Sequence, residues 1–470
     1  MLMTDSDPLA VGAGMLEGFD VGGTSRARRR ALFVVAAGMF VDGYDLILLS
    51  GALVQLHHEW DLSAGQIGFL GASTYFGSMF GAILFGHISD KVGRRSVFNW
   101  TLVSFLVISV LSAFVSDVGQ LTVMRILLGV AIGAEIAAGF AFLGEISPSR
   151  SRGGWGGALP QITWSLGALA AIFVDALLLT VAGENAWRWI LVSGAVPALI
   201  VLAARWSLPE SPRWLLLKGR TDEAARALRY FGVTMTAEQL GNAARTVQRS
   251  VAETARSSEL LRASLTGRYK RVAILVIVLV GPASLVGGGS SILGPYVFDQ
   301  LGHLTPVQSV LSGSVIWVGA LIGSVLSFSL IDRLGRIRAY TIGQVALFVI
   351  YLLMITIGFG TWLLVPMYLL YGVFNWMVAS VNSVLPAELL PTAVRGSVTG
   401  IAHGINRLCN GLAVLLVPVG LELLGFRAVV VICGAIGLLL SAVAWANRRY
   451  DPARRSIDEV SEGIAAEGKP

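Results

Sequence analysis

Apolar residues run along this chain in membrane-length blocks, and short polar stretches between them carry most of the charge. At a rise of 1.5 Å per residue, about 20 apolar residues cross a hydrocarbon core about 30 Å thick. Twelve blocks are long enough: 31–53, 66–88, 96–116, 120–143, 157–182, 187–207, 271–295, 307–330, 338–358, 361–385, 397–420 and 425–446. The pattern predicts an all-α polytopic membrane protein. A polar stretch at 208–268 divides the twelve spans into two sets of six. Within it, "TDEAARALRYFG" and "LGNAARTVQRSVAETAR" have the periodicity of short amphipathic helices.

Composition sharpens this picture. Hydrophobic residues make up 55% of the 470 and charged ones 14%, with 55 glycines and a mean hydropathy of +0.72. Abundant glycine suits close helix packing in lipid. The net charge of +6 does not imply nucleic acid, because the basic residues fall in short loops. Lys91, Arg94, Arg95, Arg150, Arg152, Arg333, Arg336, Arg338, Arg395, Arg448 and Arg449 lie on one side. The opposite loops hold mainly His57, His58, Glu59, Asp61, Asp117, Glu184 and Asp299. The positive-inside rule then puts both termini in the cytosol. The expected organisation is a disordered tail at 1–30, a six-helix bundle at 31–207, a cytosolic linker at 208–268, a second bundle at 269–446 and a tail at 447–470. Cys409 and Cys433 lie in apolar runs without metal-ligand spacing and read as packing residues. No HExxH, GxSxG or phosphate loop occurs, so the chain is not read as an enzyme, and no metal or cofactor is implied. His57–His58 reads as a solvated pair.

An internal repeat relates the two sets of spans. Asp90, Gly93 and Arg94 in "GHISDKVGRR" match Asp332, Gly335 and Arg336 in "FSLIDRLGRIR", an offset of 242. Glu145, Pro148, Arg152 and Gly153 match Glu388, Pro391, Arg395 and Gly396, an offset of 243. Two motifs repeated at nearly one distance imply two bundles related by duplication.

On these motifs the chain resembles the major facilitator superfamily over residue 31 to about residue 450. "GHISDKVGRR" is similar to that family's signature between helices 2 and 3. "PESPRW" (209–214) is shared by its sugar porters, its aromatic-acid/proton symporters and the animal organic ion transporters. The resemblance implies twelve transmembrane helices in two six-helix bundles. It also implies a cytosolic latch of Asp90, Arg94, Glu145, Arg152, Asp332, Arg336, Glu388 and Arg395 that closes the outward-open state.

Ionisable residues at bilayer depth cost several kcal/mol unless paired or hydrated, so each is a functional candidate. Asp42, Asp45, Arg125, Glu135, Asp175, His403 and Arg407 are the candidates here. Asp45 comes roughly 21 Å into the core and Arg125 roughly 8 Å below the opposite surface, nearly one level. A carboxylate that pairs with a guanidinium and parts from it can act as a proton switch. "DGYDLILLSG" and "RILLGVAIG" resemble the helix 1 and helix 4 motifs of proton-coupled sugar porters, which implies proton coupling at Asp45 with Arg125. Asp42 is a further candidate; for both carboxylates the structural alternative is a hydrogen-bonded spot at a helix broken at Gly43. Glu135 reads either as a second carboxylate on the proton path or as a polar contact with helix 2 or 11. Asp175 carries little weight.

Arg407 falls about 15 Å into span 11, at the midplane. His403, Arg407 and Asn410 share one face. A guanidinium fork fits a carboxylate, so this face reads as an anion-recognition surface or as a structural ion pair between the bundles. The glutamines and tyrosines of the sugar porters' helix 7 are missing from "GPASLVGGGSSILGPYVF", and Arg407 stands where their helix 11 has a Trp. Gln161 keeps a sugar-porter contact type. Trp164, Tyr75, Phe374 and Trp376 are aromatic walls of a site or plain core. The resulting expectation is a monomeric, proton-coupled symporter of a small organic anion, an aromatic or heteroaromatic carboxylate, in the plasma (inner) membrane. The alternatives are a proton-coupled sugar or polyol symporter and a proton-driven exporter of metabolites or drugs.

Overall fold

The computed structural model describes residues 25–147, 155, 159–255, 270–287, 305–357, 364–390 and 392–451. Regular structure among them is helical. The first bundle comprises α1 (Arg26–Trp60), α2 (Ala64–Val92), α3 (Arg94–Ser112), α4 (Val118–Ile146), α5 (Leu159–Val181), and the sixth span as α6 (Ala186–Ser193) and α7 (Ala195–Arg205). Three short helices follow: α8 (Pro212–Leu217), α9 (Thr221–Tyr230) and α10 (Ala237–Ala255). The second bundle holds α11 (Lys270–Val280), α12 (Pro306–Leu334), α13 (Arg336–Ile357), α14 (Leu364–Leu389) and α15 (Thr392–Ala446). The last is two spans. Gly425 leaves helical backbone at φ 75° and ψ 165°, and the chain doubles back so that Gly420 faces Val429.

α1 starts at Arg26, inside the stretch expected as a tail at 1–30, and takes in the whole "RARRR" run. Ser25 caps it, accepting from Arg28 N–H, and donates its own hydroxyl to Phe231 O at 2.8 Å. Arg28 is buried and donates to Ile146 O at 2.7 Å. A charge-rich helix start looks like a solvated tail until tertiary partners are known.

Each bundle is held by close helix crossings at glycine. Gly77 and Gly81 of α2 pack on the α4 backbone, and Gly319 and Gly323 of α12 pack on α14 in the same way. The pairs are 242 residues apart. α2 and α12 also begin with the same capping box, Ser63 with Gln66 and Thr305 with Gln308, again 242 apart. The duplication therefore extends beyond the charged loops that first indicated it.

α8–α10 pack on the first bundle. Trp214, Leu215 and Leu228 join Leu32, Phe98 and Phe142 in one apolar cluster on the face that carries the N-terminus. α9 has Asp222 and Glu223 in its first turn and Arg229 in its last, which complements its dipole. Between the bundles, α2 packs on α15 and α5 on α12. Their shared core contains Val310, Trp317 and Val414. These belong to the middle and far parts of the second bundle, away from the terminal face.

Candidate functional site

α1 crosses α5 where Gly43 lies on the Trp164 backbone, and Thr163 donates to Ala36 O at 2.9 Å. Gly43 thus gives close approach within an unbroken helix, so the expected helix break does not occur. On either side of this crossing α1 carries two buried acids, Asp42 at 0% and Asp45 at 1% exposure. Neither carboxylate has a hydrogen-bond donor among the described residues.

Asp45 and Arg125 do come together, but not as an ion pair. Arg125, 2% exposed, points Nη1 at the Asp45 backbone carbonyl, 3.4 Å away. The Asp45 carboxylate turns toward Gly194, in the gap between α6 and α7; a methyl there would collide with Oδ1 and lie 3.1 Å from Ser109 Oγ. Arg125 interacts electrostatically with both Asp45 and Asp175. A buried carboxylate held near a guanidinium without a direct bond is poised to gain or lose a proton at low structural cost.

Glu135 does not make the expected contact with helix 2 or 11. Its Oε1 pairs with Arg205 Nη2 at 2.7 Å, both side chains 1% exposed. Its Oε2 accepts from Thr101 at 2.8 Å. Arg205 also donates to Val34 O and Val35 O and lies over the Phe98 ring. This ion pair and its hydrogen bonds tie α1, α3, α4 and α7 together and give Glu135 a fixed counter-ion. Its partners are α3 and α7, not helix 2 or 11. Arg205 carries no signal of this role in the sequence, because it lies at the end of a span, where an arginine ordinarily reaches headgroups.

Around span 11, His403 is exposed, while Arg407 and Asn410 are half-buried. Arg407 makes no hydrogen bond or ion pair among the described residues. Its charge acts on Asp42, Tyr75 and His403. The residue before it, Asn406, is structural, donating to Val280 O at 2.7 Å and Gly281 O at 3.3 Å where α11 ends. Gln161 is half-buried. Trp164 meets Trp317 and Trp376 with ring centroids 5.0 and 5.6 Å away, and those two lie 5.1 Å apart. The indole Nε1 atoms of Trp317 and Trp376 are buried without acceptors. This trio joins the bundles at mid-depth; Trp317 gave no signal in an apolar run.

On the terminal face, Arg94 and Glu145 of the expected latch pair at 3.1 Å. Arg336 appears there through its backbone N–H, which donates to Asp451 at 3.0 Å. The side chains of Asp90, Asp332, Glu388 and Arg395, and Arg152 as a whole, lie outside the described residues. Two further carboxylates belong to this face. Glu210 of "PESPRW" accepts from the N–H groups of Arg94 and Arg95 at the start of α3, and Asp451 accepts from those of Arg336 and Ile337 at the start of α13. Both follow a glycine at positive φ, Gly93 at 104° and Gly335 at 95°. From Glu210 to Asp451 the offset is 241, so the helix-start carboxylates are part of the duplication. Burial raises the Glu210 carboxyl above its ordinary range, against the opposing pull of the Ser211, Arg95 and Arg94 N–H groups and the Arg94 charge.

A family model described as "Sugar (and other) transporter" matches residues 31–446. The chain belongs to that family. It is 31% identical over 428 residues to the putative metabolite transport protein YaaU of Escherichia coli, covering 90% of this chain and 92% of that one. It is 28% identical to the arabinose-proton symporter of Bacillus subtilis, over 79% and 81% of the two chains. The solved structure of the proton:xylose symporter XylE superposes with a TM-score of 0.75 at 22% identity, covering 95% of this chain and all of that one. The fold is therefore the twelve-helix major facilitator fold, and the protein is a membrane transporter, not an enzyme. An organic anion as substrate has no support among these relatives, and the sugar alternative fits them better.

Proposed function

We propose that this transporter is a proton-coupled symporter of a neutral sugar or polyol, working as a single chain by alternating access in the plasma membrane, with both termini cytosolic. The observation that carries the reading is Asp45: a fully buried carboxylate without donors, beside a buried arginine, in a chain of the sugar-transporter family. In the proposed cycle, Asp45 takes a proton from the far side and sugar enters between the bundles. The bundles then rock about the α2–α15 and α5–α12 contacts, opening the site to the terminal face. The described contacts between the bundles lie in their middle and far parts, which fits an inward-facing arrangement. Arg94–Glu145 is already paired within the first bundle in this arrangement, so closure of the terminal side on return would add contacts between the bundles to it. Gln161, Trp164, Trp376 and Asn410 are proposed to line the sugar path.

One observation favours a second reading. Arg407, half-buried and without a direct partner, suits a substrate carboxylate, and a sugar acid or another organic acid would supply it. Thermal-shift measurements on the purified protein separate the two, since a ligand at 100 times its Kd stabilises by about 2.7 kcal/mol. D-xylose, L-arabinose, D-glucose and myo-inositol are expected to raise the midpoint of both the wild type and Arg407→Gln. Stabilisation by gluconate or benzoate alone, lost in Arg407→Gln, would replace the sugar reading with the acid one.

A further inference from the structure

Asp175 is an acid that the expected coupling pair leaves without a role. It lies in α5, 0% exposed, with no side-chain donor to its carboxylate among the described residues and only the Gly51 backbone N–H of α1 close to it. Its carboxylate sits against α1 at Gly51, where a methyl would stand 2.5 Å from Oδ2. Gly51 is six residues along α1 from Asp45, on the side away from the termini. Arg125 reaches α1 at the Asp45 carbonyl and acts on both acids.

The charges around Asp175 are few. From α1 it faces the Tyr44 hydroxyl, which is bonded to Ser193 at 2.9 Å and lies within reach of Asp45 as well. From α4 it faces Arg125. Arg188 of α6 is engaged elsewhere, with Ala113 O and Val115 O and over the Trp187 ring. The part of α12 that packs on α5 has no titratable residue before Asp332. One guanidinium therefore serves two buried carboxylates. With both ionised, the cluster would hold a net negative charge in apolar surroundings, which burial opposes strongly.

We infer that Asp175 is a second proton-carrying residue, which shares Arg125 with Asp45 so that the three groups together hold one proton. When Asp45 carries the proton, the Asp175 carboxylate is the counter-ion of Arg125. When Asp175 carries it, Asp45 takes that place. One O–H bond is lost as the other forms, and the net charge of the cluster stays at zero. Arg125 is then never stranded during coupling, and Asp175 supplies a proton site on the far side of Asp45. The inference rests on the proton-coupled reading above.

Infrared difference spectra of the protein in liposomes at neutral pH test this through the C=O band of protonated carboxyl groups. The band is expected to lose one carboxyl's amplitude in Asp45→Asn and the same amount in Asp175→Asn. In each case the surviving acid becomes the ionised partner of Arg125. Arg125→Gln is expected to gain one carboxyl's amplitude, because both acids then stay protonated. This last variant keeps the test decisive should Asp175→Asn not fold. An unchanged band in Asp175→Asn, a loss in only one of the two Asp variants, or no gain in Arg125→Gln would overturn the shared proton. A structural, permanently ionised Asp175 would leave the band unmoved in Asp175→Asn. Absence of proton movement with any sugar would instead overturn the coupled reading itself.

Discussion

At the scale of single residues, the intramembrane charges divide by whether they have a direct charged partner. Glu135 and Arg205 pair with each other and add bonds to Thr101 and two α1 carbonyls. Asp42, Asp45 and Asp175 have no ion-pair partner and no side-chain donor among the described residues. The first kind ties helices of the bundle together, and the second kind is proposed to change protonation. Removing one partner of a buried ion pair leaves an uncompensated charge and costs about 3–5 kcal/mol. Glu135→Gln is accordingly expected to lower the thermal midpoint sharply, while Asp45→Asn leaves it near wild type. Midpoints of the two variants in detergent check this, and equal midpoints would contradict the division. The sequence showed which acids lie at bilayer depth, but not which were paired. Pairing depends on helix rotation, and Arg205 comes from a span end, where a basic residue reads as a headgroup contact.

At the scale of elements, α3 and α13 begin at a glycine and are capped from a distance. Glu210 and Asp451 come from the chain just after each bundle's last span and accept N–H groups at the start of the bundle's third span. The carboxylate also opposes the positive end of the helix dipole. Burial nevertheless raises Glu210's native pKa above its unfolded value. The folded state then binds more protons in the window between the two, so this group's stability contribution is full below the unfolded pKa and falls as pH rises through the native one. Glu210→Gln should cost about 1 kcal/mol, as a lost helix cap does. Its gap from the wild type should widen as pH falls from neutral toward that window. Midpoints measured across pH check the slope, and a gap that narrows would contradict it. The motif "PESPRW" was legible as a family mark, and α9 and α10 from their apolar periodicity. The capping role was not, because donors and acceptor are more than a hundred residues apart.

At the scale of the whole molecule, the duplication sets the architecture. Twelve spans and two bundles followed from hydropathy and two repeated loop motifs, and the structure adds repeated capping boxes, glycine crossings and helix-start carboxylates. The arrangement between the bundles was less legible, since apolar contacts carry no pattern distinct from lipid-facing ones. Trp317 shows this: it completes the aromatic trio with Trp164 and Trp376 across the two bundles. A buried Trp→Ala change costs about 3–5 kcal/mol, and here the loss falls on the arrangement closed at the far side. Each 1.4 kcal/mol is about tenfold in population. Trp317→Ala should therefore expose the α2–α15 contact: a Leu415→Cys label site, with Cys409 and Cys433 replaced by Ser, should react many-fold faster with an impermeant maleimide from the far side. Unchanged labelling would mean that the trio does not hold that side shut.

The substrate expectation changed most. Arg407 suggested an anion because a midplane arginine needs a counter-charge, and the family relatives favour sugars. Asp42 on α1 lies within its electrostatic reach, which offers an internal answer to that need. The most direct test of the account is proton movement in liposomes containing the protein, followed with a pH electrode as D-xylose, L-arabinose, D-glucose or myo-inositol is added outside. The account predicts alkalinisation of the medium with at least one of them in the wild type and none in Asp45→Asn. Sugar entry without alkalinisation, or equal alkalinisation in Asp45→Asn, would contradict it.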